Sequence, residues 1–518
     1  MITPEQYQQI FKNAESGLGL LMVTVAFALI AIRSIRYTVP FPMPVIKPLS
    51  LPLPHFKISA PPLAIVAIVA LVARLPNMLE SLWYDETFTA AIANTSAANF
   101  SVALMGDVHP PLAYLPQWLI VHVLGDSPAA LRFTGLVFGL GVVLLMYRLP
   151  IALGMGQRAA LIAGLIAALL PAQIYYSTEA RAYTLLGYLV LYSFAALVND
   201  KPRLFAVLAG LIPLTHNAGY VYLAVLCCMG LVTYRQRWLI PVAVPLGVAL
   251  GWLPLMLQQS RDLVDGFWLT APNLAQIFTP LLHMTFSTRL PEWATIPLFI
   301  VSSALTFASV WACRQWLIST KQGRLLVMLV IAPAALLALA SVVWRPVYLP
   351  RVLMPSVLAV VILWAWLIAH NRAWQWVAGA ALAIGLVGFY SPDIGRRDVS
   401  NVFDACQGAD YVYSTGVPSA LFAKYYTGEV RIWPSANDLN QTLPVTAKIA
   451  MGLQPTALSR LTGNVCLVAF NTPHTSQAEK DFLASLEAKD RKLIHVSETW
   501  DIHIYWLSLG GDSNGLSY

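Results

Sequence analysis

The feature that most restricts what this chain can fold into is its succession of apolar segments. They fall at about 63–79, 112–124, 131–149, 159–176, 182–198, 204–216, 218–234, 238–257, 293–313, 325–344, 352–369 and 373–390, with an earlier one at 17–32. Most approach the roughly 20 residues a helix needs to cross a bilayer core. Charged residues make up only 11% of the chain, against about 25% in ordinary soluble domains. Mean hydropathy is +0.65. The pattern predicts a polytopic membrane protein, mainly α, with about 12–13 transmembrane or juxtamembrane helices. Residues 1–16 are polar, and the 17–32 run is followed by Arg33 and Arg36. No cleavable signal peptide is therefore expected.

The net charge of +7 does not point to nucleic acid, because the excess sits in short loops between apolar segments. Those loops orient the chain. The linker before residue 60 carries Arg33, Arg36, Lys47 and Lys57 among prolines from Pro40 to Pro54, and is placed in the cytoplasm. Helix 63–79 then exits. If 112–124 crossed the membrane, the later basic loops would all lie outside. If it stays on the outer side as a short interfacial or re-entrant helix, Arg148/Arg158, Lys201/Arg203, Arg235/Arg237, Arg314/Lys321/Arg324 and Arg372 all lie inside. The second arrangement is favoured. It leaves about twelve spanning helices and an extracytoplasmic C-terminal tail.

Three regions follow: an N-terminal helix and basic proline-rich linker at 1–60, a transmembrane domain at 61–390 and a soluble tail at 391–518. The tail reads as a small α/β domain. Strands are expected at 411–414, 430–433 and 464–470, helices at 418–427 and 475–488, and a closing hairpin from 494–497 and 503–507. Cys406 and Cys466 fall in this tail and can pair if it faces an oxidising compartment. Cys227, Cys228 and Cys313 read as apolar fillers.

Candidate chemistry gathers on the outer face. Leu82-Trp83-Tyr84-Asp85-Glu86 places two carboxylates just beyond an apolar helix. They are either the start of a short helix at 86–94, favoured there by its dipole, or a catalytic pair. Trp83 and Tyr84 suit an aromatic belt. The same face holds His109, Glu179, Arg181 and Tyr183. Its basic residues are Arg132, Arg181, Arg261, Arg289, Arg345 and Arg351, with no Lys. Each Arg is either a headgroup anchor, an ion-pair partner of a nearby Asp or Glu, or a bidentate partner for phosphate. A carboxylate deprotonates an acceptor hydroxyl, and cations stabilise a departing phosphate. Those two groups are what an inverting sugar transfer from a lipid phosphate requires. Nucleotide sugars are absent outside the cytoplasm, so a membrane-borne donor is favoured. A transporter or flippase would instead place ionisable groups at mid-membrane, where these segments are nearly charge-free. A scaffolding protein would leave the acidic and Arg set unexplained.

Four segments in order carry a family resemblance: Trp83-Tyr84-Asp85-Glu86, His109-Pro110-Pro111-Leu112, Leu131-Arg132-Phe133, and Tyr176-Ser177-Thr178-Glu179-Ala180-Arg181-Ala182-Tyr183. They resemble the GT-C glycosyltransferases of the protein O-mannosyltransferase and lipid A aminoarabinose transferase type, over about residues 60–200. The resemblance implies a cell-envelope transferase that takes its sugar from a polyprenyl phosphate, with an extracytoplasmic lipid, glycan or protein as acceptor. A lipid-linked oligosaccharide ligase or polymerase is the neighbouring activity. It implies Asp85 as base with Glu86 beside it. Adjacent helical residues point about 100° apart, so the two are expected to have different partners. His109, Glu179 and Arg181 are implicated in substrate binding. Arg345 and Arg351 rest on the phosphate argument alone. The resemblance implies metal-independent chemistry without a cofactor; Asp85, Glu86 and Glu179 would chelate a divalent ion only if they converge.

Overall fold

The computed structural model describes residues 60–261, 272, 274–286, 292–391, 405–415, 429–432, 449–450, 454–471, 481, 484, 490–497 and 500–509. The expected helix at 17–32, the basic linker, Arg289, the side chain of Arg261 and the tail helices expected at 418–427 and 475–488 lie outside the described residues or almost wholly so.

Helix α1 spans Ala60–Met78. It is followed by three short helices, α2 (Tyr84–Ala93), α3 (Ala97–Gly106) and, after a 3-10 turn at Pro111–Ala113, α4 (Leu115–Leu124). The bundle continues with α5 (Pro128–Ala152), α6 (Gln157–Leu169), α7 (Pro171–Ser177), α8 (Tyr183–Val198), α9 (Pro202–Leu211), α10 (Gly219–Tyr234) and α11 (Leu239–Arg261). The last helices are α12 (Leu274–Phe286), α13 (Glu292–Ser319), α14 (Lys321–Val343), α15 (Met354–His370) and α16 (Arg372–Phe389).

Fewer helices pass a length test than the crossings expected from the sequence. Five stretches among the described residues are long and apolar enough, and a sixth is the bent pair α6–α7. The other apolar helices are cut short by proline and by irregular turns. Helix α9, for example, stops at Leu211 rather than 216, just before Pro213. Helix α4 has 10 residues, about 15 Å of rise, well short of a bilayer core. Its length is that of the interfacial or re-entrant segment expected.

The core of the bundle forms where α5, α6, α8 and α15 pack together. Val142, Met146, Leu186, Val190, Leu358 and Ile362 are all buried there. Helix α15 is almost wholly enclosed, so its apolar side chains face protein on every side. The outer helices α13, α14 and α16 instead expose Phe307, Val343 and Trp376, as a surface that meets lipid must.

The α6–α7 break shapes the site. The two helices meet at 61° where Pro171 follows Leu170. A residue before proline is driven out of the α region, and Leu170 has ψ 121°. The carbonyl of Ala168, left open by the break, accepts from Arg74 Nη1 at 3.0 Å. Arg74 Nε donates to Ser177 Oγ at 2.7 Å. This arginine is fully buried within α1, so the apolar run at 63–79 is not free of internal charge.

Among the described residues of the tail, six strands form one sheet in the order β3-β2-β1-β4-β6-β5. They are β1 (Tyr411–Thr415), β2 (Glu429–Ile432), β3 (Gln454–Pro455), β4 (Gly463–Asn471), β5 (Asp490–Ser497) and β6 (Trp500–Leu509). The first four run parallel, and the expected hairpin closes the sheet antiparallel to β4. The two-residue edge strand β3 is too short to show a sequence period. Cys406 and Cys466 form a disulfide that ties the segment before β1 to β4. Ala450 packs on a cluster that includes Tyr114 and Ala182, which brings the tail against the loops after α1.

Candidate active site

Asp85 and Glu86 both lie in the first turn of α2, and they part company there. Glu86 turns into the protein. Its Oε1 accepts from Arg132 Nε at 2.8 Å and from the Ala180 N–H at 2.8 Å. Its Oε2 accepts from Arg132 Nη2 at 2.6 Å and from the Trp83 N–H at 3.2 Å, the latter closing the first turn of the helix. Both side chains of this ion pair are 0% exposed. Arg132 also donates to the carbonyls of Asn77, Met78, Glu80 and Ser81, the open C-terminal end of α1 and the chain beyond it. The sequence places Glu86 beside the base as part of a catalytic pair. In the structure both of its oxygens are engaged by Arg132 and by backbone N–H groups, and with Arg132 it joins α1, α2, α5 and the 180 loop.

Asp85 turns outward, with its side chain 19% exposed, and its Oδ2 lies 3.6 Å from Arg351 Nη1. Arg351 sits in the 3-10 turn Pro350–Leu353 that leads into α15, and its guanidinium lies 5.1 Å from the centre of the Tyr183 ring. Arg345, the other arginine of that loop, is placed at the end of α14, where its N–H donates to Ala340 O. Arg351 is the one set against Asp85.

Arg181 also reaches the first turns of α2. Its Nη1 lies 3.4 Å from the Asp85 carbonyl and 3.5 Å from Thr89 Oγ1. Its Nη2 lies 3.1 Å from His109 Nε2. Burial alone would lower the pKa of this guanidinium. Tyr114, Asp85, Tyr183 and Asp107 outweigh burial and raise it well above its ordinary value, so Arg181 stays cationic. Glu179 is wholly buried. It is an electrostatic neighbour of Tyr176, Tyr183 and Arg351.

A small cavity opens among Thr89, His109, Tyr114, Arg181, Tyr183 and His216. Sequence reasoning does not single out Asp107, Tyr114 or His216. Asp107 carries one local signal, its two-residue spacing to His109, which suits a turn closed by the Asp side chain. His216 carries none, because the run 204–216 reads as one helix. Here the chain leaves α9 early, and Asn217 Nδ2 donates to Val108 O at 2.8 Å, which fixes the two loops together. Burial, then the neighbouring His109, Arg351 and Arg181, hold the His216 pKa well below its ordinary value. Its Nδ1 accepts from the Ala218 N–H at 3.1 Å, so the neutral ring carries its proton on Nε2.

The site is seated on a pair of glycines. A Cβ at Gly139 would lie 2.1 Å from Ser177 Cβ, and one at Gly135 would lie 2.6 Å from Glu179 O. This G-x-x-x-G spacing on α5 lets the 177–181 turn approach the helix backbone. Gly139→Ala is expected to cost about 1–3 kcal/mol through overpacking, read as a lower melting temperature in detergent. Gly379→Ala is the control. Nothing lies within 4 Å of that Cβ position, so no loss is expected there.

Among the described residues, no three His, Cys, Asp or Glu side chains are grouped to hold a metal ion. Of the three carboxylates considered for that role, Glu86 is committed to Arg132.

No family model matches the sequence, and no curated protein does either. Solved structures do match. The apo crystal structure of ArnT from Cupriavidus metallidurans aligns with TM-score 0.56 and 14% identity, over 86% of this chain and 97% of that one. The same protein bound to undecaprenyl phosphate aligns with TM-score 0.50 and 14% identity, over 88% of this chain and all of that one. Identity this low speaks for architecture and leaves the substrate open. The chain is a polytopic membrane protein with the GT-C fold of ArnT, a lipid A aminoarabinose transferase.

Proposed function

We propose that this protein transfers a sugar, with inversion, from a polyprenyl-phosphate donor to an acceptor on the extracytoplasmic face of the membrane. The observation that carries this reading is the outward carboxylate of Asp85 opposed by Arg351 at 3.6 Å, with Arg181 Nη1 at 3.4 Å from the Asp85 carbonyl. The undecaprenyl phosphate bound by ArnT supports a lipid phosphate as the donor's carrier. The Cys406–Cys466 disulfide suits an oxidising compartment. The packing of Ala450 near the site supports a tail on the same face.

In this mechanism, the donor phosphate competes with Asp85 for Arg351 and frees the carboxylate. Asp85 takes the proton of the acceptor hydroxyl as its oxygen attacks the anomeric carbon. The bond from that carbon to the phosphate oxygen breaks, and polyprenyl phosphate leaves with its added charge held by Arg351 and Arg181. His109 and Tyr183 line the approach. The chemistry needs no metal, so EDTA is expected to leave the rate unchanged.

The test is turnover of labelled polyprenyl-phosphate sugars by the purified protein in lipid nanodiscs. One sugar of the panel is expected to be consumed, with polyprenyl phosphate released. Arg351→Ala should raise the donor KM by about 10- to 100-fold, the worth of a charge-assisted hydrogen bond. An unchanged donor KM would remove Arg351 from phosphate recognition.

A further inference from the structure

Asp107 stands behind the site on the short link between α3 and the Pro111–Ala113 turn. It is nearly buried, and one of its oxygens collects three donors. Oδ2 accepts from the His109 N–H at 3.0 Å, from His109 Nδ1 at 2.8 Å and from Tyr114 OH at 2.5 Å. Burial would raise its pKa. Hydrogen bonds from His109 and the Tyr114 hydroxyl and the charge of Arg181 outweigh burial and hold the carboxyl well below its usual range.

An ionised carboxylate only accepts. The Nδ1 of His109 must therefore carry the proton, which leaves a lone pair on Nε2. That lone pair faces Arg181 Nη2 at 3.1 Å, and a guanidinium only donates. Both neighbours select the same tautomer. The alternative would set N–H against N–H at Arg181 and a lone pair against the carboxylate. Since Nε2 is occupied by Arg181, His109 is not placed to act as a base.

We propose that Asp107 is a positioning residue: with Tyr114 it locks His109 as the Nδ1–H tautomer, whose Nε2 then holds the Arg181 guanidinium in place for an anionic group of the donor. The identity of that group rests on the transfer reading above; the tautomer lock does not.

The experiment uses the full chain in nanodiscs and two variants. Asp107→Asn lets the side-chain amide donate to Nδ1, which moves the ring proton to Nε2 and turns a donor toward Arg181. Tyr114→Phe keeps the carboxylate and removes one of its donors. The first readout is the rate of phenylglyoxal modification of Arg181, followed by peptide mass spectrometry. It needs no substrate. Released from His109, Arg181 should react about tenfold faster in Asp107→Asn, as expected for loss of one hydrogen bond to a charged group, and more modestly faster in Tyr114→Phe. The second readout is kinetic. Donor KM should rise by about the same factor, with kcat within about threefold.

An unchanged Arg181 modification rate in both variants, at wild-type melting temperature, would overturn the proposal whatever the activity. So would a collapse of kcat with donor KM unchanged. If Arg181 is released but the wild type consumes no lipid-phosphate sugar, the positioning role stands and the transfer reading falls. Should Asp107→Asn fail to fold, Tyr114→Phe decides by the same readouts.

Discussion

Asp85→Asn is expected to abolish sugar transfer while leaving the protein folded. The Asp85 carboxylate is partly exposed, and its partner Arg351 stands 3.6 Å away. At 3.6 Å the contact is longer than a charge-assisted hydrogen bond, and the Asn amide keeps the shape of the side chain and an oxygen to accept from Arg351, so the fold is expected to hold. An amide cannot take a proton from the acceptor, and the loss of a positioned base costs about 10²- to 10⁴-fold in rate. The measurement is the initial rate in nanodiscs alongside the melting temperature. A folded variant with a wild-type rate would remove Asp85 from the mechanism.

The neighbouring substitution is expected to fail for the opposite reason. Glu86→Gln leaves Arg132 buried without its counter-charge, and breaking one side of a fully buried pair costs about 3–5 kcal/mol. Loss of folded protein on size exclusion, or a steep drop in melting temperature, is the expected readout. Removing both charges should not restore stability. In Glu86→Leu combined with Arg132→Met, the carbonyls of Asn77, Glu80 and Ser81 lose the donors that Arg132 supplies. A double variant as stable as the wild type would show that those carbonyls find other partners, and that Arg132 serves only Glu86. The two variants thus separate the roles proposed for the adjacent carboxylates, chemistry for Asp85 and structure for Glu86.

That division is half legible in the sequence. Helical geometry separates the directions of Asp85 and Glu86, and the structure gives them different partners. Which one turns inward depends on Arg132, 46 residues away, and no local spacing reveals it. The apolar runs mark the helices because burial in lipid leaves a strong compositional trace. The weakness of the 112–124 run as a span is visible in its length. Strands of the tail are readable where a short apolar run stands between polar stretches, as at β1 and β4, and β3 is not because two residues hold no pattern. Arg74 leaves no signal because a single cation in an apolar run does not alter hydropathy, yet it closes the α6–α7 break. His216 is hidden because the run 204–216 is read as one helix, although Pro213 ends α9 at Leu211; only the fold then sets the released loop beside the 107–109 loop, through Asn217 and Val108. Of the two arginines flanking the 346–350 loop, only the fold tells that Arg351 faces Asp85.

The most direct test of this account is an experimentally determined structure of the protein with polyprenyl phosphate bound. The phosphate is expected within about 3 Å of guanidinium nitrogens of Arg351 and Arg181, with the Asp85 carboxylate released from Arg351 and facing the open side of the cavity. A phosphate bound elsewhere, with the Asp85–Arg351 pair still closed, would contradict it.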